Sequence, residues 1–238
     1  MPPRNEGPCP LCGRPLYGWL TLPAAGEPAS VGRRIRPEAG TRVLDRCEDC
    51  GVAVERGRPI DHAAELDAIS ERASDGSLLI DCPNRASLQA VLGGGAWAPL
   101  DGLPGRLALT PRSLALLAER TGHRLDGVSF PPLGPGQRWM WQTIVNAFTF
   151  HNNFAHHAWA RRLRPAGARG RAAFAIDAVV TVLAAPLVAI VSFPLEAIAS
   201  LANRGGRIVA AATRPPGTEP AEAAARELPT TSPGPRRS

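Results

Sequence analysis

Two Cys-x-x-Cys-Gly units, Cys9-Pro-Leu-Cys12-Gly13 and Cys47-Glu-Asp-Cys50-Gly51, constrain this chain more than any other feature. Two residues between thiolates let both sulfurs reach one cation, and a glycine after the second cysteine permits the positive φ that so tight a turn needs. Four thiolates close a tetrahedral shell and leave no position for a reacting water. The spacing therefore predicts a structural zinc ion held by Cys9, Cys12, Cys47 and Cys50, in an N-terminal ribbon over residues 1–58. A redox dithiol is the alternative; two pairs, with no thioredoxin-like βαβ pattern around either, argue against it. Cys82 lies in an apolar run and reads as a buried core residue. The N-terminus leads straight into Cys9 without an apolar stretch, so no secretory signal peptide is expected, and the ribbon should lie in a reducing cytoplasm.

An apolar fraction of 44% over 238 residues supports one or two packed domains, while 24 glycines and 25 prolines demand many turns. The net charge of +6 raises nucleic acid or an anionic membrane as partners. All 27 basic residues are arginine, a bias that points to a GC-rich genome before it points to a polyanion. Arg33, Arg34, Arg36 and Arg42 could touch phosphates, but no aromatic residues interleave with them as on a single-strand platform.

Beyond the ribbon, Ala63, Leu66, Ile69 and Ala73 recur at helical spacing over residues 61–73, and Asp75-Gly76 marks a turn. Residues 77–82 form a short apolar run stopped by Pro83, which suits a buried strand of a parallel sheet. Thr110 as N-cap, Pro111 at the first helical position and a Leu109–Leu114 staple predict a helix ended by Gly122. His123–Phe130 and residues 207–212 are the remaining strand candidates. Gly93-Gly94-Gly95 neither follows a strand nor opens a helix and reads as a flexible loop.

The run from Asp75 to Ser87, with Leu-Leu-Ile-Asp-Cys-Pro-Asn at its centre, the glycine-rich stretch to Trp97, and Leu109-Thr-Pro-Arg-Ser-Leu114 resemble the C-terminal half of class I S-adenosylmethionine-dependent methyltransferases. The resemblance covers residues 61–130 and 204–214 and extends to the ribbon, which often precedes the cofactor-binding half in that family. It implies a partial α/β sheet of methyltransferase type. Only ten residues separate Cys50 from Asp61, whereas one βαβ unit needs about 30. The cofactor-binding half has no room, and S-adenosylmethionine is not an expected ligand.

An apolar helical insertion is expected at about 138–205. Its centre, Ala178–Leu195, is 18 residues without a charge, reaching roughly 27 Å as a helix against a hydrocarbon core of about 30 Å. Trp139, Trp141 and Trp159 with Phe148, Phe150 and Phe154 suggest an interfacial belt, and Arg161, Arg162, Arg164, Arg169 and Arg171 suggest anionic headgroups. If strand 207–212 joins strand 77–82, both ends of the segment lie on one side of the membrane. Pro186 would then break it into two short re-entrant helices, with Asp177 and Glu196 near the surface. A core hairpin of a soluble domain is the alternative. His151, His156 and His157 lack the i, i+4 spacing of a metal pair, so no second metal site is expected. Residues 215–238 read as a disordered tail.

The composite expectation is a zinc-binding, non-catalytic scaffold at the inner face of the membrane, with a possible protein partner at an exposed sheet edge. A methyltransferase acting with a partner subunit and a nucleic-acid-binding ribbon protein are the alternatives.

Overall fold

The computed structural model describes residues 5–22, 41–57, 59–160, 162–163, 165 and 167–215. Arg33, Arg34, Arg36, Arg161, Arg164 and the expected tail beyond Pro215 lie outside the described residues. In chain order the elements begin with β1 (Asn5–Pro8), β2 (Pro15–Leu22), β3 (Arg42–Cys47), β4 (Ala53–Glu55), α1 (His62–Asp67), β5 (Ser70–Arg72) and β6 (Leu78–Pro83). There follow α2 (Leu88–Gly93), β7 (Leu107–Ala108), α3 (Pro111–Arg120), β8 (Arg124–Ser129), α4 (Pro135–Asn146), α5 (Phe154–Trp159), α6 (Gly167–Leu201) and β9 (Arg207–Thr213).

The elements form a mixed α/β structure with two antiparallel sheets. The first runs β1-β2-β3-β4-β7, so the cysteine-bearing ribbon takes its fifth strand from Leu107–Ala108. The second runs β5-β6-β9-β8. One buried cluster joins the two, with Leu11 and Val52 from the loops at the cysteine pairs of the first sheet, Ile80 and Ile208 from the second, and Leu114 and Leu117 from α3. Each of these large side chains contributes about 1.5–3 kcal/mol by leaving water.

Helix α3 forms as its sequence specifies. Thr110 caps it in a reciprocal box with Ser113, Pro111 sits in the first turn, Leu109 and Leu114 are both buried, and Gly122 follows the C-cap at φ +74°. The strands expected at 123–130 and 207–212 are β8 and β9. Cys82 is buried in the core.

Four expectations are corrected. The helix over 61–73 stops at Asp67, because Ser70–Arg72 pair with Leu78–Ile80 across the Asp75-Gly76 turn as a hairpin. Residues 77–82 do not belong to a parallel pair: β6 runs antiparallel to both neighbours, β5 and β9. The glycine run is not a flexible loop. Gly93 ends α2, Gly94–Ala96 form a 3-10 turn, and Gly93 packs so closely that a Cβ there would lie 2.4 Å from Thr143 Cγ2.

The fourth correction concerns the apolar segment. Helix α6 continues through Pro186 and Pro194 for 35 residues, about 52 Å, with no break into two. Asp177 and Glu196 are fully buried instead of facing a surface. Glu196 accepts from the Gly206 N–H at 2.6 Å and from Gln89 Nε2 at 3.2 Å, which anchors the helix beside the start of β9. Gly206 is required there, since any Cβ would collide with the Gln89 amide. Beyond α6, β9 does join β6.

Candidate metal centre

Each Cys-x-x-Cys-Gly unit folds as a knuckle. In the first, the Cys9 N–H donates to Arg14 O at 2.7 Å and the Gly13 N–H to Cys9 O at 2.9 Å; in the second, the Cys47 N–H donates to Val52 O at 2.9 Å and the Gly51 N–H to Cys47 O at 3.1 Å. Gly13 and Gly51 adopt φ of +74° and +77°, the conformation that the spacing called for. Pairing of β2 with β3, Leu16 opposite Cys47, brings the two knuckles together.

The four sulfurs all lie within 4.8 Å of one another. Cys9 and Cys50 are 3.7 Å apart, and Cys12 and Cys47 are 3.5 Å apart. A tetrahedron with metal–sulfur bonds of about 2.3 Å has sulfur–sulfur edges of about 3.8 Å, so the cluster fits a metal ion bound by four thiolates. Cys9, Cys47 and Cys50 are buried and Cys12 is half-buried. Burial pushes the Cys9 thiol up to about 11 and raises Cys50 as well. Burial opposes ionisation of Cys12 too, but the Arg14 backbone N–H and the neighbouring Cys47 thiol bring it below its ordinary value. Without a cation, Cys9 and Cys50 keep their protons. A metal ion exchanges for them and becomes part of the fold.

Contacts from outside the ribbon fix both knuckles. Thr110 Oγ1 donates to Cys50 O at 2.8 Å, and Arg120 Nε donates to Leu11 O at 2.8 Å, so α3 grips one turn with each end. His62 Nε2 donates to Pro10 O at 3.1 Å. Arg85 Nη1 donates to Gly51 O while its guanidinium stacks 4.4 Å from the Trp19 ring centroid. Of Arg33, Arg34, Arg36 and Arg42, only Arg42 is among the described residues: its Nη2 donates to Leu100 O at 2.6 Å, a structural contact within the fold.

The three histidines are not brought together as a metal set; two of them pair with distant acids. His151 Nδ1 lies 2.8 Å from Asp177, which also accepts the Phe150 and His151 backbone N–H groups at 2.7 and 3.0 Å. His157 Nε2 lies 3.1 Å from Asp101. Neither acid was read as a histidine partner from the sequence, because the pairs span 26 and 56 positions and leave no local pattern. Their only signal was the presence of ionisable groups beside apolar runs.

Helix α6 is polar on its inner side and apolar on its outer side. Asp177, Ser192, Glu196 and Ser200 are buried together with Val188 and Ala199, whereas Ile176, Val179, Leu183, Leu187 and Ile190 are exposed at spacings of three and four. Its most apolar 18-residue window has a mean hydropathy of 2.4 and is only 6% buried. Trp159, Phe148 and Phe150 are exposed as well. The chain matches no family model, no curated protein and no solved structure.

Proposed function

We propose that this is a zinc-stapled protein that lies on an anionic membrane surface through α6 and serves there as a non-catalytic scaffold. The observation that carries this reading is the inverted polarity of α6. A soluble helix turns its apolar side to the core and its charges to water; α6 does the opposite, leaving a continuous apolar face far larger than scattered surface leucines would make. A bilayer is the occupant that such a face fits. Asp177 and Glu196, 19 residues and about 28 Å apart along the helix, are both docked on the protein body, which supports a helix lying along the surface over one crossing it. Exposed Arg162, Arg169 and Arg171 suit anionic headgroups.

For the metal, four soft thiolates favour zinc over hard cations, and a closed shell favours a structural role. The runs resembling methyltransferases support a derivation from that family, with methyl transfer lost along with the cofactor half. Strand β8, an edge exposed at five of its six positions, offers main-chain groups for a protein partner.

Vesicle flotation tests the reading. The zinc-loaded protein should float with phosphatidylglycerol vesicles and less with phosphatidylcholine, and Leu183→Glu with Leu187→Glu should abolish flotation while preserving zinc content. Failure of the parent protein to float would overturn membrane association. Saturable calorimetric binding of S-adenosylmethionine would overturn the non-catalytic reading.

A further inference from the structure

A cavity of about 510 Å³ lies between the turn at Ala98–Gly102, α4 and α5. It is within the size range of small-molecule sites, and its lining is not that of an ordinary packing defect. Arg138 and Arg162 stand on it, and neither makes an ion pair among the described residues. The one acid in the wall, Asp101, is already engaged: its Oδ2 accepts from Asn153 Nδ2 at 2.6 Å and faces His157 Nε2 at 3.1 Å. His157 is 1% exposed. With Nε2 committed to Asp101, its Nδ1 is a buried polar atom that has no protein partner. That nitrogen is shielded from the open space, which leaves the two guanidiniums as the unpaired charges of the wall.

We propose that this cavity binds a phosphate ester. Two unpaired guanidiniums hold phosphoryl oxygens through charge-assisted, bidentate hydrogen bonds. Asp101 fixes the imidazole in place, as a partner carboxylate does in other oriented histidines. Trp139 and Trp141 supply apolar wall for the organic part of the ester. Trp141 also donates its indole N–H to Ala185 O of α6 at 3.0 Å, so the cavity shares a side chain with the apolar helix. The same chemistry is available from a phospholipid headgroup or a soluble ester. The proposal does not need the membrane reading to hold.

The test follows the indole N–H signals of Trp139 and Trp141 by NMR in the full zinc-loaded chain, alongside vesicle partition. In the first arm glycerol 3-phosphate is titrated, with glycerol as control. Saturable shifts with the phosphate alone, weakened about tenfold or more in R138Q/R162Q, would establish a soluble ester site. In the second arm partition is measured onto phosphatidylcholine vesicles with and without phosphatidic acid. A selective gain with phosphatidic acid that the double variant loses would assign the site to a lipid headgroup. Both arginines are exposed and lack ion pairs among the described residues, so the variant is expected to fold; unchanged zinc content and dispersion elsewhere in the spectrum verify it. The proposal is overturned if neither ligand moves the indole signals or partition, or if the double variant binds like the parent.

Discussion

Thr110 Oγ1 donates to the carbonyl of Cys50 at 2.8 Å while accepting the Ser113 N–H at 3.1 Å. One hydroxyl thus starts α3 and holds the second knuckle. Thr110→Ala removes both bonds and should destabilise the protein by about 1–3 kcal/mol, whereas Thr110→Ser should restore most of that. Urea unfolding of the zinc-loaded forms measures it. Zinc transfer to a chromogenic chelator should be faster in the alanine variant alone.

Removing the metal should cost more than the ribbon. The cluster around Cys9, Cys47 and Cys50 is continuous with Ile80, Leu114 and Ile208, so chelation is expected to loosen the second sheet together with the first. Hydrogen exchange should show protection lost in β6 and β9 as well as in β2 and β3. Cys47→Ser should reproduce it. Because burial holds Cys9 at about 11 and also raises Cys50, zinc loading at neutral pH should release protons, visible as a binding heat that depends on the ionisation enthalpy of the buffer.

Cys82 should behave differently from the four ribbon thiols. Burial first, and the neighbouring Asp81 second, push its thiol up to about 12. At mildly alkaline pH it is neutral and shielded, so alkylation of the native protein should spare it. Chelation should expose the ribbon cysteines first and Cys82 only on global unfolding, an order that peptide mass mapping resolves.

What the sequence made legible was local. The knuckles, the Thr110-Pro111 helix start and the Asp75-Gly76 turn each depend on residues within five positions, and each formed as read. What failed depended on partners far along the chain. Residues 69–73 carry a helical period, yet a short hairpin with β6 won because Leu78 and Ile80 needed a buried sheet. Proline at 186 argued for a broken helix, but the break did not form: α4 packs along α6, and Trp141 bonds the Ala185 carbonyl beside Pro186. The histidines were weighed only against one another, while the carboxylates that engage His151 and His157 come from α6 and the Ala98–Gly102 turn.

His123 gives a pH dependence. Burial, then the positive charge of Arg214, holds its imidazole below the ordinary value of 6.5. A histidine with a depressed folded pKa binds fewer protons folded than unfolded in the window between the two values. Its contribution to stability is therefore full above 6.5 and is lost as pH falls through that window, down to the folded value. NMR titration should place the His123 midpoint below 6.5, and His123→Gln should flatten this part of the stability profile.

Asp177 separates a docked helix from one immersed in lipid. Its carboxylate is fully buried and accepts three hydrogen bonds, two from the Phe150 and His151 backbone and one from the His151 ring, or pairs with that ring when it is charged. Asp177→Leu makes α6 more apolar, so on a helix surrounded by lipid it would be neutral or stabilising. On a helix docked by this face, it strands two backbone donors and a part-exposed imidazole against an apolar side chain, and should cost about 1–3 kcal/mol. Asp177→Asn, which keeps one acceptor oxygen, should fall between. Chemical unfolding in detergent micelles measures both; a stabilised leucine variant would mean that the inner face of α6 meets lipid and not the loop at Thr149–His151.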